Sequence, residues 1–345
     1  MSRCECFRRW RRCLLIIVLI LLGHVGEAQH LTYPTVPTVT EYDVDPSWPE
    51  RPDHVASWGA VPGLAIDAHG HVWVFNRGED PVQVYASAGE FIRTWGRGEF
   101  AHPHQIRIDS DGYVWLVDAG LHTVQKFTPE GEVVLTLGVR GEKGTQLTQF
   151  NRPTDVAFAP SGDIFVSDGY GNRRIVHFDK DGTAIKTWGT YGTEPGQFVL
   201  PHSIVSDSKG RLYVADRNCG RIQVFDTEGK FLDQWANILM PWGLAITSDD
   251  EIWACGSSPH RWRREGRYRN IRDQLLMRFD SEGRVKQLWS LPVGELGDVG
   301  AGEILWVHCL VQDRDGNLYL GDIKGERAQK FVAIKPPPEE TVKKE

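Results

Sequence analysis

Three histidines occupy equivalent places in a repeating pattern, as Pro103-His104, Pro201-His202 and Val307-His308. Neutral imidazole is the commonest protein ligand for divalent ions, and three imidazoles with a fourth position left open form the donor set of a catalytic zinc site. The same pattern carries Arg77 (in WVFNRG), Tyr170 (in SDGYGN) and Arg217 (in ADRNCG). A guanidinium offers a planar fork of donors suited to a carboxylate, and a phenol beside a metal and a cation is placed to carry a proton. The chain shows no nucleophile elbow, phosphate loop or Cys-x-x-Cys pair. His102, His122 and His177 fall outside the pattern and read as surface or packing residues.

These residues are far apart in sequence, so the elements that carry them must bring them together. A unit of about 40 residues recurs at 61–96, 102–138, 152–189, 200–235, 240–290 and 307–332, the fifth copy lengthened by an insertion. Each unit holds short runs that alternate β-branched or aromatic residues with polar ones. Asp-Gly, Ser-Gly, Lys-Gly or Glu-Gly turns separate the runs, which predicts a four-stranded meander. Six such sheets, each with two apolar faces, bury both only by packing radially. The expected fold is therefore all-β, a six-bladed β-propeller of four-stranded antiparallel blades. The sixth unit ends after its third strand, near Val332, while residues 55–60 (VASWGA) resemble the unit ends at 92–96 and 185–189. A strand from 55–60 is expected to complete the last blade and close the ring.

In such a blade, the residue after each unit-initial position shares one face of the disc with the loop between the second and third strands. Around the ring that residue is Gly63, His104, Thr154, His202, Trp242 and His308. Histidine thus falls in alternate blades, and three rings about 120° apart point at a common centre, as a three-histidine zinc site requires. Arg77, Tyr170 and Arg217 lie in loops on that face. The insertion at 259–273 carries six arginines and hangs over the same side, where it would guide an anion or form a solvated flap.

The 345 residues include 41% hydrophobic and 25% charged side chains, enough to bury a large core. Residues 1–28 read as an export signal: five arginines, an apolar run from Cys13 to Leu22, then Gly26 and Ala28 at a cleavage-site spacing. The run is shorter than the roughly 20 residues a membrane span needs. The expected organisation is 1–28 signal, 29–50 extended segment, 51–333 propeller and 334–345 flexible tail, in a secreted or periplasmic protein without a membrane span once mature. Without the signal the chain has 34 basic and 44 acidic side chains, a net charge of −10, which argues against nucleic-acid or acidic-membrane partners. Cys219, Cys255 and Cys309 remain and allow at most one disulfide.

From about Val61 to Val332 the sequence resembles the peptidyl-α-hydroxyglycine α-amidating lyases, the lyase half of the peptide-amidating enzyme and its stand-alone relatives, with an NHL-like repeat. The likeness is densest over 150–178 and 200–225, and rests on Pro-His in two alternate units, Val-His in a third, Ser-Asp-Gly-Tyr and Phe-x-Arg-Gly. The resemblance implies that His104, His202 and His308 hold a catalytic zinc. It implies that Tyr170 and Arg77 act on the substrate and that Arg217 clamps its carboxylate. It also implies a structural calcium on the backbone carbonyls of Val61 and Ile106 and on an aspartate, but Cys309 stands at the aspartate's place. The family's two disulfides are absent, with Asn151 and Gly171 at one pair of positions and Tyr213 and Val224 at the other.

The implied reaction cleaves a peptidyl-α-hydroxyglycine, a small-molecule or peptide substrate with a free carboxylate, into a peptide amide and glyoxylate. No copper monooxygenase half accompanies the resemblance, so the hydroxylated substrate is expected from elsewhere. Two alternatives stay open: a calcium-dependent lactonase-type propeller, and a non-catalytic NHL-type binding propeller.

Overall fold

The computed structural model describes residues 41–258 and 273–334. The expected signal, residues 29–40, the insertion through residue 272 and the tail from 335 lie outside the described residues. The described chain forms six four-stranded antiparallel sheets, and the only helix is a 3₁₀ turn, Arg217–Cys219. The innermost strands of blades one to six are Gly63–Ile66, Pro103–Ile108, Asp155–Phe158, Pro201–Ser206, Met240–Ile246 and Val307–Gln312. In the first five blades the strands follow one another outward in chain order.

Burial explains this order. Second strands such as Val114–Asp118 and Ile164–Asp168 are buried on both faces, so they read as continuous apolar runs. Outer strands such as Ala184–Trp188 are only half covered and alternate. Between adjacent blades the apolar faces interlock. Trp115, Val117 and Val124 of blade two meet Val156, Ile164 and Val166 of blade three in one cluster. Each fully buried side chain of this size contributes roughly 1.5–3 kcal/mol. The hairpin turns follow one scheme, shown between the first and second strands of blade two by Asp109, whose Oδ1 accepts the Asp111 and Tyr113 N–H groups at 3.1 and 2.9 Å. Gly112 there has φ +86°, a conformation glycine adopts without strain.

The last blade consists of Val307–Gln312, Leu318–Asp322, Arg327–Ile334 and, as its outer strand, Glu41–Asp45. An N-terminal strand does close the ring, but it lies upstream of residues 55–60, which form no strand. The pairing runs from Glu41 opposite Ile334 to Asp45 opposite Lys330. Tyr42 and Val44 turn inward against the cluster around Phe331, and Tyr42 stacks on Trp289 of blade five at 5.0 Å. The Trp-Gly in 55–60 imitates a unit end, whereas Glu-Tyr-Asp-Val-Asp has the strand's period of two. Residues 55–60 instead lead across the disc into blade one: Asp80 accepts the Ala56 N–H at 2.8 Å, and the Trp58 indole donates to Gln83 at 2.7 Å.

Candidate metal centre

Each candidate metal ligand stands at a defect in its strand. In blade two Pro103 pairs with Asp118 and Gln105 with Val117, so His104 has no partner and the register slips around it. His202 is skipped in the same way between Pro201 and Ser203, and His308 between Val307 and Cys309. A β-bulge adds a residue on one strand and re-aims its side chain. Here it turns each imidazole toward the axis. Trp242 holds the equivalent bulge in blade five, where its buried ring packs on Trp306 at 4.9 Å.

The three rings converge with near three-fold symmetry. Centroid separations are 4.9 Å for His104–His202, 5.0 Å for His202–His308 and 5.1 Å for His104–His308. One ligand nitrogen from each falls within 4.8 Å of the others, and all three residues are buried. The intervening blades orient them: Nδ1 of His104 lies 2.6 Å from the Thr154 carbonyl, that of His202 2.5 Å from Trp242, and that of His308 2.8 Å from Pro62. A carbonyl can only accept, so each Nδ1 carries the proton and each Nε2 presents a lone pair. Burial, reinforced by neighbouring imidazoles and guanidiniums, holds His104 and His202 well below the ordinary histidine value, and burial pulls His308 down to about 3. All three are neutral at physiological pH.

The Tyr170 hydroxyl lies 3.0 Å from Nε2 of both His104 and His202. It has one proton for two acceptors, and no described group donates to Nε2 of His308. Three lone pairs thus face one proton, an arrangement that fits a divalent ion accepting all three. Two guanidiniums flank the phenol ring, Arg152 at 5.0 Å and Arg217 at 5.8 Å from its centroid. The 3₁₀ turn sets Arg217 in place, and its Nε donates to Asn218 at 3.2 Å. Arg77 donates from Nε to the Pro103 carbonyl, next to His104, at 3.0 Å. Burial lowers the Arg77 pKa, opposed by the nearby Tyr170 and Asp118. The structure therefore gathers His104, His202, His308, Tyr170, Arg77 and Arg217 at one end of the axis.

The loops are held by acids at the ends of second strands. Asp118 accepts the N–H groups of Ala101 and His102 at 2.7 and 2.9 Å, and those of Gly120 and Leu121 at 2.7 and 2.9 Å. Asp216 does the same for Val199 and Leu200 before His202, and Asp322 for Leu305 and Trp306 before His308. One carboxylate thereby ties the segment leading to a histidine to the loop after the second strand. Sequence reasoning did not single out these Asp residues. Their recurrence at the same place in VDAG, SDGY, ADRN and GDIK was the available signal.

Arg152 was also missed. It stands just before unit-initial Pro153, two positions before the face-forming Thr154, where the other units have Val61, His102, Leu200, Met240 and Trp306. Of the histidines outside the pattern, His177 is a packing residue stacked 4.4 Å from Phe165 and paired with Asp163 at 2.9 Å. His122 and His102 border the site, and burial with Arg77 and Arg152 nearby lowers His102 to about 4.

The next layer along the same strands differs. Arg107 in blade two makes a two-point ion pair with Asp155 in blade three, at 3.0 and 2.6 Å, and reaches the Leu244 carbonyl of blade five at 3.0 Å. Asp155 also accepts from Ser203 at 2.6 Å and from the Ile204 and Val156 N–H groups at 3.0 and 2.8 Å. Cys309 is buried beside this layer, its thiol 3.9 Å from the Val61 carbonyl and held well above the usual thiol value by burial. A neutral thiol pointing at one of the expected carbonyl ligands, with Arg107 supplying positive charge close by, does not fit calcium, a hard cation that takes oxygen ligands. Ile106 is fully buried in this layer. Asn151 and Gly171 meet through a backbone hydrogen bond of 2.9 Å, and Tyr213 and Val224 through strand pairing, so ordinary contacts fill both places of the missing disulfides. A cavity of about 760 Å³ opens at the opposite mouth and is lined by Arg107 but by none of the three histidines.

Comparison with known proteins agrees with this architecture. The NHL repeat model matches residues 150–178 and 198–225. Human NHL repeat-containing protein 3 is 32% identical over 315 residues, covering 85% of this chain and 84% of its own. The peptidyl-glycine alpha-amidating monooxygenase of Mus musculus is 37% identical over 310 residues, 79% of this chain but 30% of its own, so this chain spans about a third of that relative. A probable peptidyl-alpha-hydroxyglycine alpha-amidating lyase of Caenorhabditis elegans is 31% identical over 221 residues, 56% of this chain and 62% of its own. Among solved structures, virginiamycin B lyase from Staphylococcus aureus superimposes with a TM-score of 0.57 at 14% identity over 85% of this chain and all of the other, a likeness of fold alone. With its repeats, its six blades and these relatives, the chain belongs to the family of NHL-repeat propellers that includes NHL repeat-containing protein 3 and the peptidyl-α-hydroxyglycine α-amidating lyases.

Proposed function

We propose that this protein is a secreted, zinc-dependent lyase that cleaves peptidyl-α-hydroxyglycine to a peptide amide and glyoxylate. The carrying observation is the convergence of three neutral, carbonyl-oriented imidazoles with the Tyr170 hydroxyl, 3.0 Å from two of them. His104, His202 and His308 would hold the ion, which when bound supplies Lewis acidity to a hydroxyl ligand, as zinc does for water. The relatives named as amidating lyases support the reaction. The basic-then-apolar segment 1–28 supports export.

In this reading the chain's own groups do the following. Arg217 pairs with the substrate carboxylate and fixes the hydroxyglycine carbon beside the phenol. With the ion in place Tyr170 would start as the phenolate and take the hydroxyl proton as the carbon–oxygen bond becomes a carbonyl. The carbon–nitrogen bond breaks with its electron pair on nitrogen, and Tyr170 returns the proton there to give the amide. Arg77, half-buried beside Tyr170, stabilises the phenolate and the developing oxyanion. Glyoxylate and amide together contain every atom of the substrate, so no oxidant or water is consumed.

Glyoxylate release from α-hydroxyhippurate tests this. Tyr170→Phe is expected to lower kcat by about 10²-fold or more with its metal retained, and His202→Ala to lose both metal and activity. Wild-type rates in either would remove the assigned roles. The second reading, a non-catalytic NHL-type binding propeller, is favoured by the fuller two-way coverage with NHL repeat-containing protein 3. It predicts no glyoxylate from the wild type.

A further inference from the structure

We infer that Arg152 is a specificity-determining residue of this site, an outer arm that captures the free carboxylate of the substrate; the inference rests on the lyase reading above. Its backbone is held in an unusual place. Arg152 has φ +62°, its N–H donates to Nδ1 of His122 at 3.0 Å, and His122 itself has φ +61°. Positive φ is uncommon for a residue with a Cβ, and a residue before proline is normally extended, so the surroundings fix this conformation. The segment is tied to the tyrosine loop by Tyr170 N–H to the Arg152 carbonyl at 3.4 Å and Gly171 N–H to that of Asn151 at 2.9 Å. The guanidinium is thereby carried over the Tyr170 ring, 5.0 Å from its centroid.

The three guanidiniums around the phenol are not equivalent. Arg217 is 8% exposed and commits Nε to Asn218, while Arg77 commits Nε to the Pro103 carbonyl. Arg152 is exposed, and among the described residues its guanidinium has no hydrogen bond or ion pair, only the ring contact. The nearby acids do not neutralise it, because Asp118 and Asp168 are 1% and 0% exposed and already accept backbone N–H groups. A fork whose donors are all available, held at the rim beside a phenol that faces the imidazoles, is suited to an anion with two oxygens in one plane. The inner Arg217 orients the carboxylate and the outer Arg152 selects for it. The preferred class is then α-hydroxyglycine derivatives with a free terminal carboxylate, over the corresponding esters or amides.

The experiment compares wild type, Arg152→Ala and Arg152→Lys on α-hydroxyhippurate and its methyl ester, with parallel titrations of hippurate and hippuramide. Arg152→Ala is expected to raise KM for the acid about tenfold, leave kcat within about twofold and leave the ester unchanged, with Arg152→Lys recovering part of the loss. Equal losses on acid and ester, an unchanged KM for the acid, or a loss confined to kcat overturn the assignment. If the wild type releases glyoxylate from neither compound, the lyase reading fails and the titrations decide Arg152. Hippurate binding about tenfold weaker in Arg152→Ala, with hippuramide unchanged, upholds it. Equal affinities, or no hippurate binding by the wild type, overturn it.

Discussion

Two neighbouring layers of the propeller axis are built from the same inner strands and end in opposite electrostatic states. In the imidazole layer, His104, His202 and His308 each use one nitrogen on a carbonyl of the next blade and leave the other facing the axis, with a single phenol proton to share. In the layer beside it, the Asp155 carboxylate receives Arg107, Ser203 and two backbone N–H groups, and Arg107 reaches across to Leu244. One layer presents open imidazole lone pairs to the axis, and the other pairs its carboxylate with its own guanidinium. The difference separates a site from a strut: buried acceptors left open call for a ligand, while buried charges that are fully paired only hold blades together.

Breaking the strut should have the larger effect on stability. Asp155→Ala strands the Arg107 guanidinium, which is 15% exposed, and is expected to cost about 3–5 kcal/mol in denaturant unfolding, while the folded fraction keeps its metal. A loss below about 1 kcal/mol would make the pair dispensable. The imidazole layer should respond instead to ions. Zinc at about a thousandfold excess over its Kd should raise stability by about 4 kcal/mol, calcium at the same concentration should not, and His202→Ala should abolish the zinc response.

The smallest effect per residue is the proton's. The three imidazoles have folded-state pKa values far below 6.5, so below that pH the unfolded chain binds protons that the folded chain refuses. Metal-free protein should therefore hold its stability above pH 7. It should lose about 1.4 kcal/mol per imidazole for each pH unit below 6.5, down toward the folded values, and His308→Ala should flatten the slope. An unchanged slope in that variant would contradict the burial argument.

Much of this was legible in the sequence for a physical reason. Repeats show six sheets, and one position read around the ring shows histidine in alternate blades. What was not legible depends on pairing between distant strands. The bulges that aim the imidazoles are register slips and carry no residue signature beyond the preceding Pro103 or Pro201. The closing strand went to 55–60 because Trp-Gly imitates a unit end, whereas Glu41–Asp45 is marked only by two inward apolar residues. Arg107 and Asp155 sit in unremarkable strand text, and only closure of the ring sets them face to face.

The most direct test of the account is the metal content of purified protein, wild type beside His202→Ala, by elemental analysis at matched folded concentration. About one zinc per wild-type chain is expected, next to none in the variant, and calcium at background in both. Zinc below about a tenth per chain in the wild type, or equal zinc in the two proteins, would contradict it.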